Sequence, residues 1–387
     1  MAVDSVAAVE DVSRVTSLTI TRVSTTVVSR TYRTPFAISG GSTASLESVL
    51  VELSARDTTG GREPTGVGET TAMTAYSGET TAGIIDVIES VLTPAVLGHP
   101  LFDLAGLHKR MDAAVRGRSA AKAAIDIAVV DAQGRALGVP AGALLGGRSR
   151  EAIDIAWVIG LGEIDAVVAE AAAKAAEGYR HIKVKGGIDP RADVALVEEL
   201  CRALPDGVEL AIDFNAAYDL GTALPVLLRM QRAGLVLAEQ PVHGWDIEGL
   251  ARLTGALDLR VMADESLHSI HDALGLARRG ACDVFNIKLL KVGGFYRARQ
   301  VAAIAEAAGI AVKVGSMPEL GVATLAAAHF AAATPVASVP ADLVGPLMVH
   351  GDIIDPAPFT SRLGQVALPD GPGLGVTVGS LTEAVVR

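Results

Sequence analysis

Cysteine is scarce in this chain of 387 residues. The two cysteines, Cys201 and Cys282, lie far apart in the sequence and match neither a Cys-x-x-Cys pair nor the Cys and His spacing of a zinc site. The sequence therefore indicates neither a disulfide framework nor structural zinc. A reducing compartment is favoured, and we expect the protein to be cytoplasmic.

Clustered positive charge and long apolar runs are missing as well. The formal net charge is −11 and no basic stripe compensates it, so nucleic acid is not an expected partner, because phosphate binding requires clustered Lys and Arg. No uncharged apolar run reaches the roughly 18 residues of a membrane-spanning helix. The N-terminus lacks the basic start and apolar core of a signal peptide. We expect neither a membrane nor a nucleic-acid partner.

Half of all residues are hydrophobic, which is sufficient for a large core, and their arrangement predicts two domains. Residues 1–15 are expected to be a flexible tail. In residues 16–140, two β-rich runs flank the polar loop 30–41, and helical stretches follow, an order typical of an α+β domain. The helical periodicity covers residues 79–97, 103–116 and 118–137.

Residues 141–340 have a different order, in which β-rich runs and helical stretches alternate. This order predicts an α/β barrel of parallel strands with helical crossovers, with seven clear strands and a weak eighth. An open doubly wound sheet is the alternative, but no glycine-rich phosphate loop follows an early strand. The expected strands cover residues 155–159, 181–185, 208–213, 235–239, 260–264, 283–288, 311–315 and 335–339.

Charged side chains end five successive strands of this predicted barrel. Because the carboxyl ends of parallel strands meet at one mouth, these side chains are expected to converge. Their three carboxylates offer the hard oxygen ligands of Mg²⁺ or Mn²⁺ and leave positions open for a substrate carboxylate, whose enediolate the ion would stabilise. The five residues are Lys185, Asp213, Glu239, Asp264 and Lys288, at intervals of 28, 26, 25 and 24 residues.

The lysines beside this predicted metal site suggest an acid/base pair. A nearby dication, a second cation and partial burial each lower a lysine pKa from about 10.4 towards the 7 to 8 of a general base. Lys183 and Lys185 lie two residues apart on one strand and therefore point to the same side, with Lys288 several strands away. Lys183 can also be interpreted as a structural ion-pair partner.

The same residues carry a resemblance to a known family. From about residue 18 to residue 377, the chain resembles the enolase superfamily, muconate lactonizing enzyme subgroup. The motifs that carry the resemblance are Lys183-Val-Lys185, Asp213-Phe-Asn215, Glu239-Gln-Pro, Ala263-Asp264-Glu265-Ser and Asn286-Ile-Lys288-Leu-Leu-Lys-Val-Gly-Gly.

The resemblance implies a Mg²⁺-dependent isomerase with a modified (β/α)7β TIM-type barrel, an N-terminal α+β capping domain, and a C-terminal segment, 341–387, that returns to the cap. It also implies a homo-oligomer. The acid/base residues that it implies are Lys185 and Lys288. Lys288 separates the chain from the mandelate racemase subgroup, which would place a His in that part of the barrel. The implied metal ligands are Asp213, Glu239 and Asp264, supported by Asn215 and Glu265.

The residues expected to bind a small-molecule carboxylate substrate come from the cap and from late barrel loops. The polar cap loop can close as a lid, although its arginines can also be interpreted as solvated charges. Glu319 matches a glutamate that faces the site after the seventh strand, while Pro318 departs from that pattern. The candidates are Arg30, Tyr32, Arg33, Phe36, Tyr76, Glu319 and Asp342.

Two reactions that share an enolate compete as interpretations. The segments 341–348 and 372–376 look like muconate cycloisomerases, which favours lactonization of a cis,cis-muconate-like diacid. The run Glu239-Gln-Pro-Val-His looks like dipeptide epimerases, but those usually carry an Asp-x-Asp pair for the substrate's amino group, and here only Asp342 is present. N-acylamino acid racemase relatives rank third, since the expected Lys-Pro is absent. A catalytically silent binding protein ranks last, because uncompensated charge at a partly buried mouth is costly.

Overall fold

An antiparallel sheet of three strands begins the fold. It comprises β1 (Thr19–Ile38), β2 (Gly41–Arg56) and β3 (Thr65–Thr71), paired in that order. The predicted tail, 1–15, lies outside the described residues. This computed structural model describes residues 17–38, 41–57, 61, 63–355 and 364–379.

The described part of the segment predicted as a polar loop, residues 30–38 and 41, is instead the end of a long hairpin. Phe36 pairs with Thr43 across β1 and β2, after a register shift that begins at Thr31. Pro35 lies within this shift, where its missing N–H costs no ladder hydrogen bond. For the described residues the loop prediction was therefore wrong, because the Thr, Tyr and Phe side chains favour a strand despite their polar neighbours.

Short helices and one long helix cover this sheet and confirm the predicted helical regions. They are α1 (Thr74–Ser77), α2 (Thr81–Asp86), a π-helical turn (Val87–Leu92), α3 (Thr93–Val96), α4 (Leu104–Ala114), α5 (Ser119–Leu137) and α6 (Ala141–Leu144). The alanine-rich α5 lies directly on β3, since a Cβ on Gly68 would fall 1.9 Å from the carbonyl oxygen of Ala124. Small residues on both elements therefore permit a close contact between helix and sheet.

Seven parallel strands form the second sheet, and each is hydrogen-bonded to the next in chain order. This order is that of the predicted barrel, in which alternating strands and helices place every strand parallel to its neighbour. A short strand, β4 (Ala152–Asp154), precedes the sheet. The seven strands are β5 (Trp157–Ile159), β6 (His181–Lys185), β7 (Glu209–Asp213), β8 (Leu237–Glu239), β9 (Arg260–Ala263), β10 (Val284–Ile287) and β11 (Ala311–Val314).

The weak eighth strand is reduced to isolated bridges, and these join the two edges of the sheet. Val339 bridges Lys313 of β11, and Ala341 bridges Ile155 just before β5. The Ala341 N–H donates to the carbonyl of Asp154 at 2.8 Å. This short segment therefore contacts both the last and the first strand and closes the barrel.

Helices follow the barrel strands and cover their outer faces, leaving the carboxyl ends of the strands to form the mouth. None of the described helices is both long and apolar enough to cross a membrane. The helices are α7 (Ile164–Ala176), α8 (Pro190–Ala203), α9 (Leu220–Ala233), α10 (Ile247–Ala256), α11 (Ile270–Arg279), α12 (Leu289–Val292), α13 (Phe295–Ala308), α14 (Gly321–Ala332) and α15 (Gly345–Met348).

The described part of the C-terminal segment contacts both the barrel and the cap. Strand β12 (Ile354–Asp355) pairs with β14 (Thr377–Val378), and β13 (Gln365–Ala367) pairs with β4. Asp131 of α5 accepts the Leu374 N–H at 2.7 Å. The predicted domain boundaries at residues 140 and 340 stay a prediction.

Candidate active site and metal centre

The five charged residues that were expected to converge lie together at one mouth of the barrel. Lys185 ends β6, Asp213 ends β7 and Glu239 ends β8, and the parallel register pairs each of them with the next. Asp264 and Lys288 follow directly after β9 and β10. Side chains that are distant in sequence come into contact because the strand ends are aligned.

Two of the lysines contact carboxylates directly. Lys185 Nζ lies 2.7 Å from Asp213 Oδ2, and Lys288 Nζ lies 2.6 Å from Asp264 Oδ2. All four side chains are buried. Contacts this short are charge-assisted hydrogen bonds, which orient donor and acceptor strongly. The predicted acid/base residues therefore flank the carboxylates from two directions.

Lys183 has more carboxylate partners than either of those lysines. Its Nζ lies 3.1 Å from Asp213 Oδ2, 2.5 Å from Glu239 Oε2 and 2.9 Å from Asp342 Oδ2. Burial alone would lower the pKa of Lys183, but these three carboxylates outweigh it and hold the pKa well above its ordinary value. The interpretation of Lys183 as an ion-pair partner thus gains support.

The three predicted metal ligands differ in how their charge is balanced. Burial acts to raise every pKa here, but the lysines beside Asp213 and Asp264 outweigh it and hold both pKa values below the usual range. At Glu239, burial and the repulsion of Asp213 outweigh Lys183, and the pKa is raised. Glu239 is therefore the ligand candidate whose negative charge is compensated least.

The carboxylates contact lysines and do not form a ligand shell. Among the described residues, no three or more His, Cys, Asp or Glu side chains are placed to hold a metal ion together. The donor chemistry nonetheless fits a hard divalent cation, because three buried carboxylates stand at adjacent strand ends and Glu239 keeps a poorly compensated charge. The metal ligands stay a prediction.

The two residues expected to support the ligands are hydrogen-bonded to each other and to the site. Asn215 accepts from Lys185 Nζ at 3.2 Å and donates to Glu265 Oε1 at 3.2 Å. Asn215 has a positive φ of 45°, a left-handed conformation that Asn tolerates better than most residues. Burial and the neighbouring Asp264 raise the pKa of Glu265 to about 8.

Sequence reasoning missed a further lysine, Lys291, beneath Asp264. Its Nζ donates to Asp264 Oδ1 at 2.6 Å and to the carbonyls of Asp264 and Asn286 at 2.8 and 2.7 Å. Asn286 in turn donates to Glu239 Oε1 at 2.8 Å. Asn286 lies in the sixth barrel strand and Lys291 just after it, within one motif, so their presence in that motif was the available signal.

A pocket opens between the cap and the barrel mouth. On the barrel side it is lined by the lysines and by Asp213 and Asp342, and on the cap side by Phe36, Met73 and Tyr76. The Tyr76 hydroxyl donates to Asp264 Oδ1 at 3.2 Å. Two of the expected cap residues, Phe36 and Tyr76, are therefore in place to contact a bound molecule.

Four other substrate-binding candidates do not line this pocket. Tyr32 is buried and stacks on Phe36 with ring centroids 6.0 Å apart, so it supports the wall from behind. Arg30 donates to the Ser29 carbonyl, and Arg33 lines a separate groove. The Glu319 carboxylate accepts the N–H of Met317, two residues before it. The extended hairpin places Arg30, Tyr32 and Arg33 outside the pocket lining, and Glu319 is hydrogen-bonded within its own loop. Substrate contact by these four residues stays a prediction.

Both domains of the chain match models of known protein families. Residues 20–146 match the model of the mandelate racemase / muconate lactonizing enzyme N-terminal domain, and residues 166–380 match the enolase C-terminal domain-like model. Muconate cycloisomerase 1 of Rhodococcus opacus is 36% identical over 364 residues, which cover 93% of this chain and 96% of the relative.

The chain belongs to the mandelate racemase / muconate lactonizing enzyme family. The predicted barrel with its cap, and the assignment as an isomerase of the enolase superfamily, are thereby confirmed. Enzymes of this family generally depend on a divalent metal.

Solved structures within this family include enzymes of both anticipated reaction types. The N-succinyl Arg/Lys racemase of Bacillus cereus is 31% identical with a TM-score of 0.90, covering 95% of this chain and 98% of that chain. The muconate lactonizing enzyme of Pseudomonas fluorescens, complexed with muconolactone, is 32% identical with a TM-score of 0.88, covering 94% and 97%. The dipeptide epimerase of Enterococcus faecalis, complexed with Mg and L-Leu-L-Tyr, is 31% identical with a TM-score of 0.88, covering 93% and 99%.

Proposed function

We propose that this protein is a cycloisomerase that converts a cis,cis-muconate-like diacid to a lactone, with Mg²⁺ as its metal and Mn²⁺ as a substitute. The observation that carries the proposal is the pairing of Lys185 with Asp213 and of Lys288 with Asp264 at the barrel mouth, where both lysines and Asp213 line one pocket. The name of the Rhodococcus opacus relative favours lactonization. The magnesium in the Enterococcus faecalis structure favours this metal.

Asp213, Glu239 and Asp264 are the residues proposed to hold the metal. When bound, the metal supplies positive charge that stabilises an enolate developing on the substrate. The chain prepares this site in two ways. Asn286 orients Glu239 through a 2.8 Å hydrogen bond, and Tyr76 donates to Asp264 at 3.2 Å.

Lys185 is proposed as the proton donor. One carboxylate oxygen of the substrate bonds to the far carbon of a double bond, the electron pair moves to the carbon beside the second carboxylate, and Lys185 Nζ gives that carbon a proton. The lysine regains its proton from solvent. Lys183 is less suited to this step, because its ammonium is paired with three carboxylates.

The cap supplies the apolar side of the pocket. Phe36, Met73 and Tyr76 cover the barrel mouth and reduce the water around the reacting carbons. Lys288 Nζ lies 4.9 Å from the centroid of the Tyr76 ring, a cation–π distance that holds the lysine over the pocket.

Proton NMR in D₂O tests the reaction. The purified protein with Mg²⁺ is offered cis,cis-muconate, L,L-dipeptides and N-acyl amino acids in parallel. We expect lactone signals from muconate with deuterium on the carbon beside the free carboxylate. Lys185→Met should lower the rate by about 100-fold or more, the usual loss when a general acid is removed. The variant Lys109→Met, at an exposed position of α4, is the control and should keep the wild-type rate. Untouched muconate in the wild-type sample would refute the proposal.

A second candidate function is racemization or epimerization by 1,1-proton transfer. It is favoured by the presence of two lysines on the pocket wall and by the similarity to the Bacillus cereus racemase. In the same experiment this function would appear as loss of an α-proton signal. Lys288→Met would then block exchange from one enantiomer only, and Lys185→Met from the other.

The metal, the assembly and the location are proposed together with the reaction. Thermal unfolding should shift upward on addition of Mg²⁺, and Asp213→Asn should lose most of that shift. A homo-oligomer is proposed from family membership and is measurable by light scattering. A cytoplasmic location is supported by the two free cysteines, Cys201 and Cys282.

A further inference from the structure

Lys313 is a buried charge that the proposed reaction does not use. It lies in the middle of β11, and it is only 2% exposed. Its strand neighbours Val312 and Val314 are also buried. A lysine in such surroundings is costly unless a partner compensates its charge. The partner is Asp342, whose Oδ1 lies 2.6 Å from Lys313 Nζ.

Asp342 is thereby paired on both of its oxygens. Oδ1 contacts Lys313, and Oδ2 contacts Lys183 at 2.9 Å. Burial would raise the pKa of Asp342, but the two lysines outweigh it and hold the pKa below its usual range. Asp342 lines the pocket, whereas Lys313 lies behind it and does not. Each oxygen of the carboxylate at this part of the wall therefore already has a cationic partner.

We propose that Lys313 is a specificity-determining residue: by neutralising Asp342 from behind, it makes the pocket reject substrates whose remote end carries an ammonium group and favour those whose remote end is an anion. The proposal rests on the proposed function only in that the pocket holds a substrate through one carboxylate. It adds the residue that selects the charge of the substrate's other end, which is a second carboxylate in the proposed diacid.

The charges around the pocket agree with this role. Among the described residues that line it, three lysines face two carboxylates, Asp213 and Asp342. A substrate ammonium placed against Asp342 would lie close to the ammonium groups of Lys183 and Lys313, and like charges at such distances repel strongly in a buried site. A substrate carboxylate in the same place would not meet this repulsion from the lysines, and the pairing of Asp342 with Lys313 would reduce the repulsion from Asp342 itself.

Lys313 also lies where the barrel closes, since its backbone bridges Val339. A purely structural role would therefore affect folding and all ligands alike. A specificity role would change the ratio of affinities for two ligands that differ only in the charge of the remote end. The ratio separates the two roles.

Calorimetric titration with two unreactive probes, in the presence of Mg²⁺, measures that ratio. Hexanedioate and 6-aminohexanoate have the same chain length, and each offers one carboxylate to the site. We expect the wild type to bind hexanedioate more tightly. In Lys313→Met, the negative charge of Asp342 is compensated by Lys183 alone, and the ratio should shift towards 6-aminohexanoate by about tenfold.

Matched variants make the result specific to this charge. Lys313→Arg keeps the positive charge and should keep the wild-type ratio. Lys122→Met removes another buried lysine, paired with Asp112 in the cap, and should also keep the wild-type ratio. Lys313→Gln provides the same measurement if the methionine variant does not fold. An unchanged ratio in a folded Lys313→Met or Lys313→Gln protein overturns the proposal, as does a wild type that binds neither probe.

This outcome is independent of the lactonization test. A shifted ratio without conversion of muconate would leave the role of Lys313 standing while the proposed reaction fails. Conversion of muconate with an unchanged ratio would overturn the role of Lys313 alone.

Discussion

The charge arrangement at the barrel mouth predicts that two of the proposed metal ligands differ sharply in what their removal costs. Asp264 compensates two buried lysines, with Oδ2 at 2.6 Å from Lys288 and Oδ1 at 2.6 Å from Lys291. Glu239 compensates only Lys183, and that lysine has two further carboxylate partners. In the metal-free protein, Asp264→Asn should therefore be much more damaging than Glu239→Gln.

The magnitudes follow from burial and pairing. The Lys291 side chain is 0% exposed, and removal of one partner of a buried ion pair costs about 3 to 5 kcal/mol of stability. We expect a loss in this range for Asp264→Asn. In Glu239→Gln, the amide oxygen can still accept from Asn286. The substitution removes a carboxyl group whose pKa is raised by burial and by Asp213. The amide nitrogen then faces Lys183 Nζ, which keeps its contacts with Asp213 and Asp342, so the expected loss is about 1 to 3 kcal/mol.

Urea unfolding in the presence of EDTA, near neutral pH, compares the two variants with the wild type. Equal m-values would establish that the same surface is exposed on unfolding in each protein, so that midpoints report stability. The reasoning is refuted if both variants lose the same stability, or if Glu239→Gln loses more. Addition of Mg²⁺ should then stabilise the wild type and neither variant, because each lacks one of the three carboxylates.

Two further predictions concern stability away from the site. Burial lowers the pKa of His329 to about 4, and the hydrogen bond to the Leu374 carbonyl opposes this shift. The buried neutral imidazole therefore contributes fully to the free energy of unfolding above the unfolded pKa of about 6.5, and this contribution is lost as the pH falls to about 4. When the pH is lowered from about 7.5 to about 4, the free energy of unfolding measured with urea should fall by about 3 kcal/mol more in the wild type than in His329→Gln. An equal fall in the two proteins would contradict this. Gly68→Ala would place a Cβ 1.9 Å from the Ala124 carbonyl and should cost about 1 to 3 kcal/mol or more by thermal or urea unfolding. The control Gly255→Ala, in α10 with no atom within 4 Å of the new Cβ, should not destabilise.

The barrel and the five strand-end residues could be predicted from the sequence because one simple geometry controls both. Alternation of strands and helices enforces a parallel sheet, and a parallel sheet collects its carboxyl ends at one mouth. No further information was needed to predict the positions of Lys185, Asp213 and Glu239, because each ends a clearly bounded apolar run. The motifs around these three residues, together with those around Asp264 and Lys288, carry the resemblance to the superfamily.

The pairing of these charges could not be predicted, because it depends on side-chain reach across the barrel and not on spacing along the chain. Lys313 is an example. It interrupts an apolar strand, which signals an unusual residue, but its partner Asp342 comes from the segment that closes the barrel. The prediction of a loop in the cap was wrong for a related reason. Polar residues around Pro35 suggested a loop, while the long register of β1 with β2 maintains strand pairing on both sides of the shift.

The ion pairs also distinguish Lys183 from Lys185. Sequence position alone does not, because both lysines lie on the same side of one strand. Both project from β6 into the barrel, and both contact Asp213 Oδ2. Lys183 additionally contacts Glu239 and Asp342, so loss of its proton would leave three clustered carboxylates without their shared cation. Lys185 has Asp213 and the neutral Asn215 as its partners. Movement of a proton therefore disturbs fewer charges at Lys185, and this is the physical reason for proposing the second lysine of the motif as the proton donor.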